Sequence, residues 1–523
     1  MTSHRLLCAP EVVEDRDSLP QVAARVAVGL LRAAGAEVTE RADGTLEIDR
    51  TVACRLSWAG PVALPLRSEA DVQAVCGVMH VHGRRYGGPR LLGVDFASVA
   101  AGVLAAGGAL AALRARELGA PYREVGVSVA QAALLGLSQY LAAATAEEPC
   151  AEPVGVGGPP FRSSDGVWFE PETLVPDSWL RFWTELGVDR RVVGRSWLPF
   201  QARYGTATCP LPNELLAAVD RLTFRDVAAA AERCGVTVTP AETRPPVVGG
   251  VPWRWWEGAV GAPLREVAPG GRGPLDGVTV VEVARRVQGP MAGRVLSLLG
   301  ARVVRVEPPG GDPLRGVPPM TALDGAPVSA RFAALNRGKE VLQADLRSVE
   351  GRSAVRELLR GADVLLHSLA PSKVVGLGLD AETLEAVRPG LVYAQASGGA
   401  PGVNTDYPVQ AHSGLAALLA PPGLPPQPTL LTVCDVLGGL VCATAAVAGL
   451  TARSRTGRAQ RVESSLLSAA RLLCGAVGAP GRRPGDGVEV CTDLSALARD
   501  PRFAAALDGS GCAVVRSPWE FRT

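Results

Sequence analysis

Residues 72 to 135 return as residues 409 to 472 at a constant offset of 337, without a gap. Val72-Gln73-Ala74-x-x-Gly77 is answered by Val409-Gln410-Ala411-x-x-Gly414, Gly102 by Gly439, Arg116 by Arg453 and Ser128 by Ser465. A repeat this long, at a period above half of the 523-residue chain, marks duplication of a whole domain rather than a solenoid. In the same register Ser98 stands opposite Asp435. The halves are related, and only the second holds a carboxylate at that place.

A second block of likeness has a different offset. The run Gly29 to Val38 echoes the segment ending at Val303 with an offset of 265, so the first copy lacks 72 residues, the difference between the offsets, that the second retains. That module holds Asp312, Arg315, Asn336, Arg337 and Lys339. After its repeat block the first copy passes through Gly155-Val156-Gly157-Gly158-Pro159-Pro160 into two amphipathic helical patterns and ends near Pro252-Trp253, which reads as a smaller domain. The second copy runs from Leu473 almost directly to Asp500-Pro501-Arg502-Phe503 and Pro518-Trp519-Glu520-Phe521, so its small domain is nearly absent. The expected organisation is a degenerate large domain at 1–145, its small domain at 146–260, a Gly/Pro-rich linker at 261–274, a second large domain at 275–475 and a truncated return segment at 476–523.

Gly277 to Val283 is a short β-branched run, followed by Gly289-Pro290, an apolar helical stretch from Met291 to Leu299, and a second strand-like run from Arg302 to Val306. Strand, helix and strand at this spacing make a βαβ unit and a parallel sheet. Ala362 to Leu366 and Leu391 to Ala394 read as further strands of it. The fold class is therefore α/β, with doubly wound, Rossmann-like large domains and a smaller α+β domain.

Net charge +1 with 20% charged residues gives no basic field for nucleic acid, which leaves a small molecule as the expected partner. The 11 cysteines lie singly, with no C-x-x-C and no Cys/His pair at zinc spacing, so no metal is expected and a reducing, cytoplasmic location is. Met1 to Pro10 lacks the apolar core of a signal peptide. Phe96 to Leu113 is uncharged for 18 residues, which touches the lower edge of a membrane span, but its counterpart Val436 to Ala452 is bracketed by Asp435 and Arg453. Both are expected to be small-residue helices packed in a protein core.

The second copy resembles the family III coenzyme A transferases, which are related to the α-methylacyl-CoA racemases. The likeness rests on Leu275-Asp276-Gly277 to Gly289-Pro290, Leu299-Gly300-Ala301, Val306-Glu307-Pro308-Pro309-Gly310-Gly311-Asp312-Pro313-Leu314-Arg315 and Asn336-Arg337-Gly338-Lys339. It continues through Ala362-Asp363-Val364, Gln410-Ala411-His412-Ser413-Gly414, Asp435-x-x-x-Gly439 and Arg453-x-x-Thr456-Gly457. The order of these motifs over about 200 residues is specific where each alone is weak.

The resemblance implies that Asp435 is the nucleophile of a CoA transferase. A carboxylate attacks an acyl-CoA thioester to give a mixed anhydride, which the CoA thiolate reopens as an aspartyl-CoA thioester. Backbone at Gly438 and Gly439 is expected to approach the reacting carbonyl and donate to its oxyanion. The alternative for Asp435 is a helix N-cap. Ser98 cannot form the anhydride, so the first copy is read as catalytically dead, and Asp95 as a cap or surface residue.

In the family, two subunits interlock and one site draws on the large domain of one and the small domain of the other. That implies an intramolecular pseudo-dimer with one site here, in which Gly157 and Gly158 hold the place of a glycine-rich loop closing over Asp435; the alternative is a plain linker. Further self-association stays open. Coenzyme A or its acyl thioester is the expected substrate, with Gln288, Arg315, Asn336, Arg337, Lys339 and Lys373 as its candidate binding residues and a carboxylic acid as the acceptor. Lys339 and Lys373 are the only lysines in the chain. Glu340, Ser368-Leu369, Gly376 and Gly398-Gly399-Ala400-Pro401 depart from the family pattern, which leaves the carrier open between free CoA and a carrier protein's phosphopantetheine. Two other readings stand beside transfer: a racemase or isomerase, whose proton-sharing histidine is Tyr407 here with His412 five residues on, and a non-catalytic acyl-CoA-binding protein.

Overall fold

The computed structural model describes residues 19–148, 155–244, 250–261, 271–421, 423–479, 481–509 and 512–523. The amino-terminal stretch read for a signal peptide and most of the expected linker, 262–270, lie outside the described residues.

The second half is built on a seven-stranded sheet in the order Glu340–Gln343, Arg302–Glu307, Thr279–Val283, Val364–His367, Val392–Ser397, Arg458–Ser465 and Trp253–Val260. The first six strands are parallel and the last is antiparallel. Val280, Val281, Val364, Leu365 and Val392 are fully buried, as expected for strands covered on both faces. The chain order reverses between Thr279–Val283 and Val364–His367, which opens a crevice beyond the strand ends where Arg286, Gln288 and Ser368 lie.

The first half differs from the expected doubly wound layout. Its five strands run Val38–Glu40, Leu46–Ile48, Val52–Ser57, Glu124–Ser128 and Trp519–Arg522, and only the pair Val52–Ser57 and Glu124–Ser128 is parallel. The missing 72 residues carry strand-and-helix crossovers in the second half, and parallel pairing requires such crossovers. A chain without them turns back through the tight connection from Val38–Glu40 to Leu46–Ile48 instead.

The halves exchange edge strands. Trp253–Val260, at the end of the expected small domain, pairs with Arg458–Ser465 of the second sheet, and Trp519–Arg522 of the return segment pairs with Glu124–Ser128 of the first. The two acceptor strands are equivalent in the repeat. Trp519 buries its ring against Gly108 and donates from Nε1 to Leu104 O at 2.8 Å. Each sheet is thus completed by chain from the other side of the repeat.

Two long helices, Phe96–Glu117 and Val433–Thr456, pack against each other at the centre. Both are long and apolar enough to cross a membrane, yet their apolar windows are 100% and 94% buried inside the protein. A helix that is apolar all round needs such cover. Thr444 Oγ1 donates to Val103 O at 3.1 Å and Thr451 Oγ1 to Leu110 O at 3.3 Å, and a Cβ at Gly107 would lie 2.8 Å from Thr444 Oγ1. On its outer side each central helix carries one glycine against a flanking helix, Gln21–Ala33 or Gln288–Leu298. A Cβ at Gly102 would fall 2.5 Å from Ala23 O and 2.7 Å from Val26 Cβ, and a Cβ at Gly439 would fall 2.6 Å from Gln288 O and 2.7 Å from Met291 Cβ. Ala23 to Gln288 and Val26 to Met291 are both offsets of 265, so both offsets of the repeat meet at this contact.

The small domain pairs Phe161–Arg162, Trp168–Glu172 and Thr237–Pro240 antiparallel, with helices over them including Pro176–Glu185 and Arg190–Thr206. Trp179, Trp183, Phe182 and Phe200 fill its core, with Trp179 stacked on Phe200 at 3.9 Å. It docks on the short helix Asp406–His412 of the second half, where Glu242 donates its N–H to Ala411 O at 3.0 Å.

Candidate active site

Asp435 lies in the first turn of the second central helix, whose N-cap is Thr432. It is therefore not the cap that its sequence context allowed. The cap comes from outside: Asp406 Oδ2 accepts the main-chain N–H of Asp435 at 2.6 Å, and Gln410 Nε2 donates to Asp406 Oδ1. Gln410 is fixed by Thr429, donating to its O at 3.0 Å and accepting its N–H at 2.8 Å. An outside acceptor at a helix start satisfies an orphan donor and leaves the Asp435 carboxylate half-buried and free to face the small domain.

The first copy repeats this frame with other chemistry. Glu69 accepts from Ala97 N at 2.9 Å, Ser98 N at 2.8 Å, Gln73 Nε2 at 2.9 Å and Ser98 Oγ at 2.6 Å, while Gln73 Oε1 accepts from Leu92 N at 2.9 Å. Glu69, Gln73, Leu92 and Ser98 stand at the repeat positions of Asp406, Gln410, Thr429 and Asp435. The longer glutamate ties up the serine hydroxyl that replaces the carboxylate. The return segment then covers the place: Arg482 pairs with Asp95 and donates to Leu92 O at 2.7 Å, Gly485 donates to Asp71 Oδ1 at 2.8 Å, and Cys491 donates to Ala74 O at 2.9 Å. Cys491 on Ala74 mirrors Glu242 on Ala411, so the return segment sits where the small domain sits in the other half.

Around Asp435 the small domain brings Glu172, Arg203 and Tyr204. Thr405 Oγ1 donates to Glu172 Oε2 at 3.1 Å, Arg203 bridges Glu170 at 2.6 Å and Glu172 at 3.1 Å, and Tyr204 stacks on Tyr407 at 4.6 Å. Burial pushes the Asp435 carboxyl up to about 7, Arg286 opposes the shift and Glu172 adds to it. Burial, with the charge of Asp435 behind it, also holds Asp406 well above the carboxylate range. Arg286 is exposed and has a left-handed φ of 67° at the entry to the helix Gln288–Leu298.

Gly438 and Gly439 serve packing. Lying beyond the first helical turn, their N–H groups are committed to carbonyls four residues back, so the expected oxyanion donation from them does not hold. Their missing side chains admit Gln288, whose Nε2 would lie 3.0 Å from a Cβ at Gly438 and which donates to Ser397 O at 3.4 Å. Gln288 is thereby fixed beside the helix turn that follows Asp435. The loop carrying Gly157 and Gly158 rests on Arg84, Cys209 and Pro210, and Arg85 donates to Pro159 O at 2.7 Å.

Arg315, Asn336 and Lys339 come together around a cavity of about 200 Å³ that Phe332 also lines. Their charges are largely spent within the protein. Lys339 has a fully buried side chain bonded to Glu282 at 2.7 Å, Pro290 O at 2.8 Å and Asn336 Oδ1 at 3.0 Å, and burial lowers its ammonium to about 8 against the pull of Glu282. Arg305 joins Glu282, Glu307 and Asp312 beneath it. Arg315 pairs with Glu307 at 2.8 Å, lies over Phe332 at 4.5 Å and keeps one third of its side chain exposed. Arg337 is half-buried outside the cavity lining, and Lys373 is exposed on the helix Pro371–Leu377. Glu340, read as a departure from the family pattern, pairs with Arg302 at the surface.

The residues missed in the sequence were Asp406, Glu172 and Glu282. Asp406 was within reach, since extending the repeat three residues toward the amino terminus pairs it with Glu69, acid with acid. Glu172 and Glu282 carry no comparable signal. His412 is exposed, and the Tyr407 hydroxyl lies 3.1 Å from both Arg203 O and Leu430 O. No group of His, Cys, Asp and Glu that could hold a metal occurs among the described residues.

The model of CoA-transferase family III matches residues 59–248 and 275–485, one segment in each half of the repeat. The chain belongs to CoA-transferase family III. This family III protein is 36% identical over 209 residues to the succinate–glutarate CoA-transferase of Agrobacterium fabrum, a match covering 38% of this chain and 52% of that one. It is 34% identical over 203 residues to the acetyl-CoA:oxalate CoA-transferase of Acetobacter aceti, covering 37% and 51%. A crystal structure of a CAIB/BAIF family protein from Brucella suis is 36% identical, covers 38% of this chain and 55% of its own, and has a TM-score of 0.37. The family III protein thus spans about half the length of the curated relatives it matches.

Proposed function

We propose that the chain is a CoA transferase with one working site, in which Asp435 carries the acyl and CoA groups in turn. The observation that carries this reading is the free carboxylate of Asp435 at a helix start capped by another residue, beside a small domain that belongs to the other half of the repeat. The chain's membership of family III and the transferase names of its relatives support the reaction class.

Asp435 Oδ attacks the thioester carbonyl, the C–S bond breaks, and a mixed anhydride and CoA thiolate result. The thiolate attacks the aspartyl carbonyl of the anhydride, which releases the donor's carboxylate and leaves an aspartyl-CoA thioester. The acceptor carboxylate runs both steps in reverse, so Asp435 ends as it began and no water, proton or nucleotide is consumed. A carboxyl near pKa 7 suits both halves, since it is a better nucleophile than an ordinary carboxylate while still a good leaving group. Gln288 would hold the thioester end of CoA, and the one-third exposed Arg315 would meet its phosphates at the mouth of the Phe332 cavity. Gly157 and Gly158 would move from Cys209 toward Asp435 to exclude water. The free cysteines among the described residues suit the reducing cytoplasm.

Isomerisation loses ground because Tyr407 stands where the racemases have a histidine and its hydroxyl faces two main-chain carbonyls. The deciding experiment is intact-protein mass after incubation with a panel of acyl-CoAs and hydroxylamine. A hydroxamate or CoA adduct in the wild type, absent in Asp435→Ala, is expected; no adduct with any donor would remove the transferase reading.

A further inference from the structure

Glu172 ends the small-domain strand Trp168–Glu172 and is 8% exposed. Its two oxygens are in unlike situations. Oε2 takes three donors: Arg203 Nη2 at 3.1 Å, Thr405 Oγ1 at 3.1 Å and the Tyr204 hydroxyl. Oε1 is buried and has no hydrogen-bond partner among the described residues. A buried carboxylate oxygen without a donor is costly, and native proteins keep few such groups unless a ligand completes them.

The carboxylate cannot relieve this by turning. Arg203 is fully buried and lies 3.9 Å over Phe200 and 4.7 Å over Tyr407, and Tyr204 is stacked on Tyr407, so the donors to Oε2 are fixed in place. Glu172 also sits close to the chemistry, and its covered Oε1 is the oxygen left without a donor. Thr405, which holds Oε2, precedes Asp406, which holds the N–H of Asp435, and the charge of Glu172 is felt at Asp435. Glu170 and Glu172 share the one guanidinium of Arg203, so Arg203 has no charge to spare for a ligand anion.

We propose that Glu172 selects the acyl group: Oε1 accepts a hydrogen bond from a hydroxyl carried near the thioester, which makes hydroxyacyl thioesters and hydroxy acids the substrates. Acyl groups bearing a second carboxylate are disfavoured, because that anion would meet the same oxygen. This rests on the reading that acyl groups are placed against Asp435.

The test is equilibrium binding, by calorimetry, of butyryl-CoA, 3-hydroxybutyryl-CoA and succinyl-CoA to an Asp435→Asn protein, which cannot turn them over. Hydroxybutyryl-CoA is expected to bind on the order of 10- to 100-fold more tightly than butyryl-CoA, and succinyl-CoA more weakly than either. In Asp435→Asn/Glu172→Gln the three donors hold the amide oxygen at the old Oε2 place, which turns the NH2 toward the substrate. Succinyl-CoA should then gain at least about 10-fold over butyryl-CoA, and thermal melting checks that the variant is folded. A flat ranking in the Asp435→Asn protein, no binding of any of the three, or equal weakening of all three by Glu172→Gln overturns the proposal, the last by placing the donor on the pantetheine arm. Adduct formation on Asp435 in the otherwise wild-type protein is read separately, so loss of the transferase reading and loss of this selectivity are told apart.

Discussion

Asp406 Oδ2 accepts the main-chain N–H of Asp435 at 2.6 Å, so one carboxylate caps the helix on which another is presented. Burial raises the proton affinity of both, and the charge of Asp435 raises that of Asp406 further, so Asp406 is the member of the pair that keeps its proton. Asp406→Asn keeps an oxygen for the cap and can neither take up nor release a proton. The variant should stay folded, and the acid limb of its kcat/KM profile should stay where the wild type's lies, since burial and Glu172 set the Asp435 shift. A limb that moved toward the ordinary carboxylate range in a pH–rate series would mean that Asp406 carries charge in the folded chain and tunes Asp435.

The wild-type limb itself follows from Asp435. Only the carboxylate attacks a thioester, and its pKa of about 7 means that kcat/KM falls roughly tenfold per pH unit below that value. Stability runs the other way. Between the ordinary carboxylate pKa and about 7 the folded chain holds a proton at Asp435 that the unfolded chain has lost, so folding weakens as pH rises through that window. Asp435→Asn should abolish transfer, flatten this part of the stability profile and raise the free energy of unfolding above pH 7, by on the order of 1–3 kcal/mol after allowance for partial exposure. Denaturation at pH 5 and pH 8 measures both signs.

The duplicated glycines separate packing from chemistry. Gly102→Ala and Gly439→Ala each place a Cβ under 3 Å from a neighbouring helix, and each should cost about 1–3 kcal/mol in urea unfolding. Only Gly439→Ala displaces Gln288 beside Asp435, so it alone should lower kcat, by on the order of tenfold, when both are assayed well below their melting points. Equal loss from both would show that the contact matters to the fold and not to the site.

The repeat made the asymmetry legible, because Ser98 and Asp435 fall opposite each other whatever the fold, and the strands from Thr279 and Arg302 announced themselves by β-branched runs between glycines. The strand exchange was not legible. Pro252-Trp253 and Pro518-Trp519 mark two similar endings, but an antiparallel edge pair is chosen by partners hundreds of residues away, here Ser464 for Trp253 and Val127 for Trp519. The role of Lys339 was hidden for a related reason. A lysine in a surface-like Asn-Arg-Gly-Lys run looks available to phosphate until Glu282, on a strand 57 residues earlier, is seen to bury it. Local sequence shows residue type and spacing; whether a charge is spent depends on non-local contacts.

That difference gives a test of the candidate binding residues. Lys339→Met leaves Glu282 as a buried charge with one partner fewer, and such losses cost about 3–5 kcal/mol, so the variant should melt early rather than show a clean binding defect. Arg315→Ala also takes a partner from a buried carboxylate, but Glu307 keeps Arg305 and the Asp312 N–H, and the one-third exposed Arg315 leaves room for water, so the loss of stability should be smaller. If its exposed guanidinium also meets a CoA phosphate, Arg315→Ala should raise KM for acyl-CoA by about 5- to 20-fold with kcat nearly unchanged, the signature of binding shared by ground and transition states. Lys373→Ala, on an exposed helix away from the cavity, should change KM by less than about twofold. Steady-state kinetics at two salt concentrations completes the comparison, since a phosphate contact at Arg315 must weaken with ionic strength in the wild type and lose that dependence in Arg315→Ala.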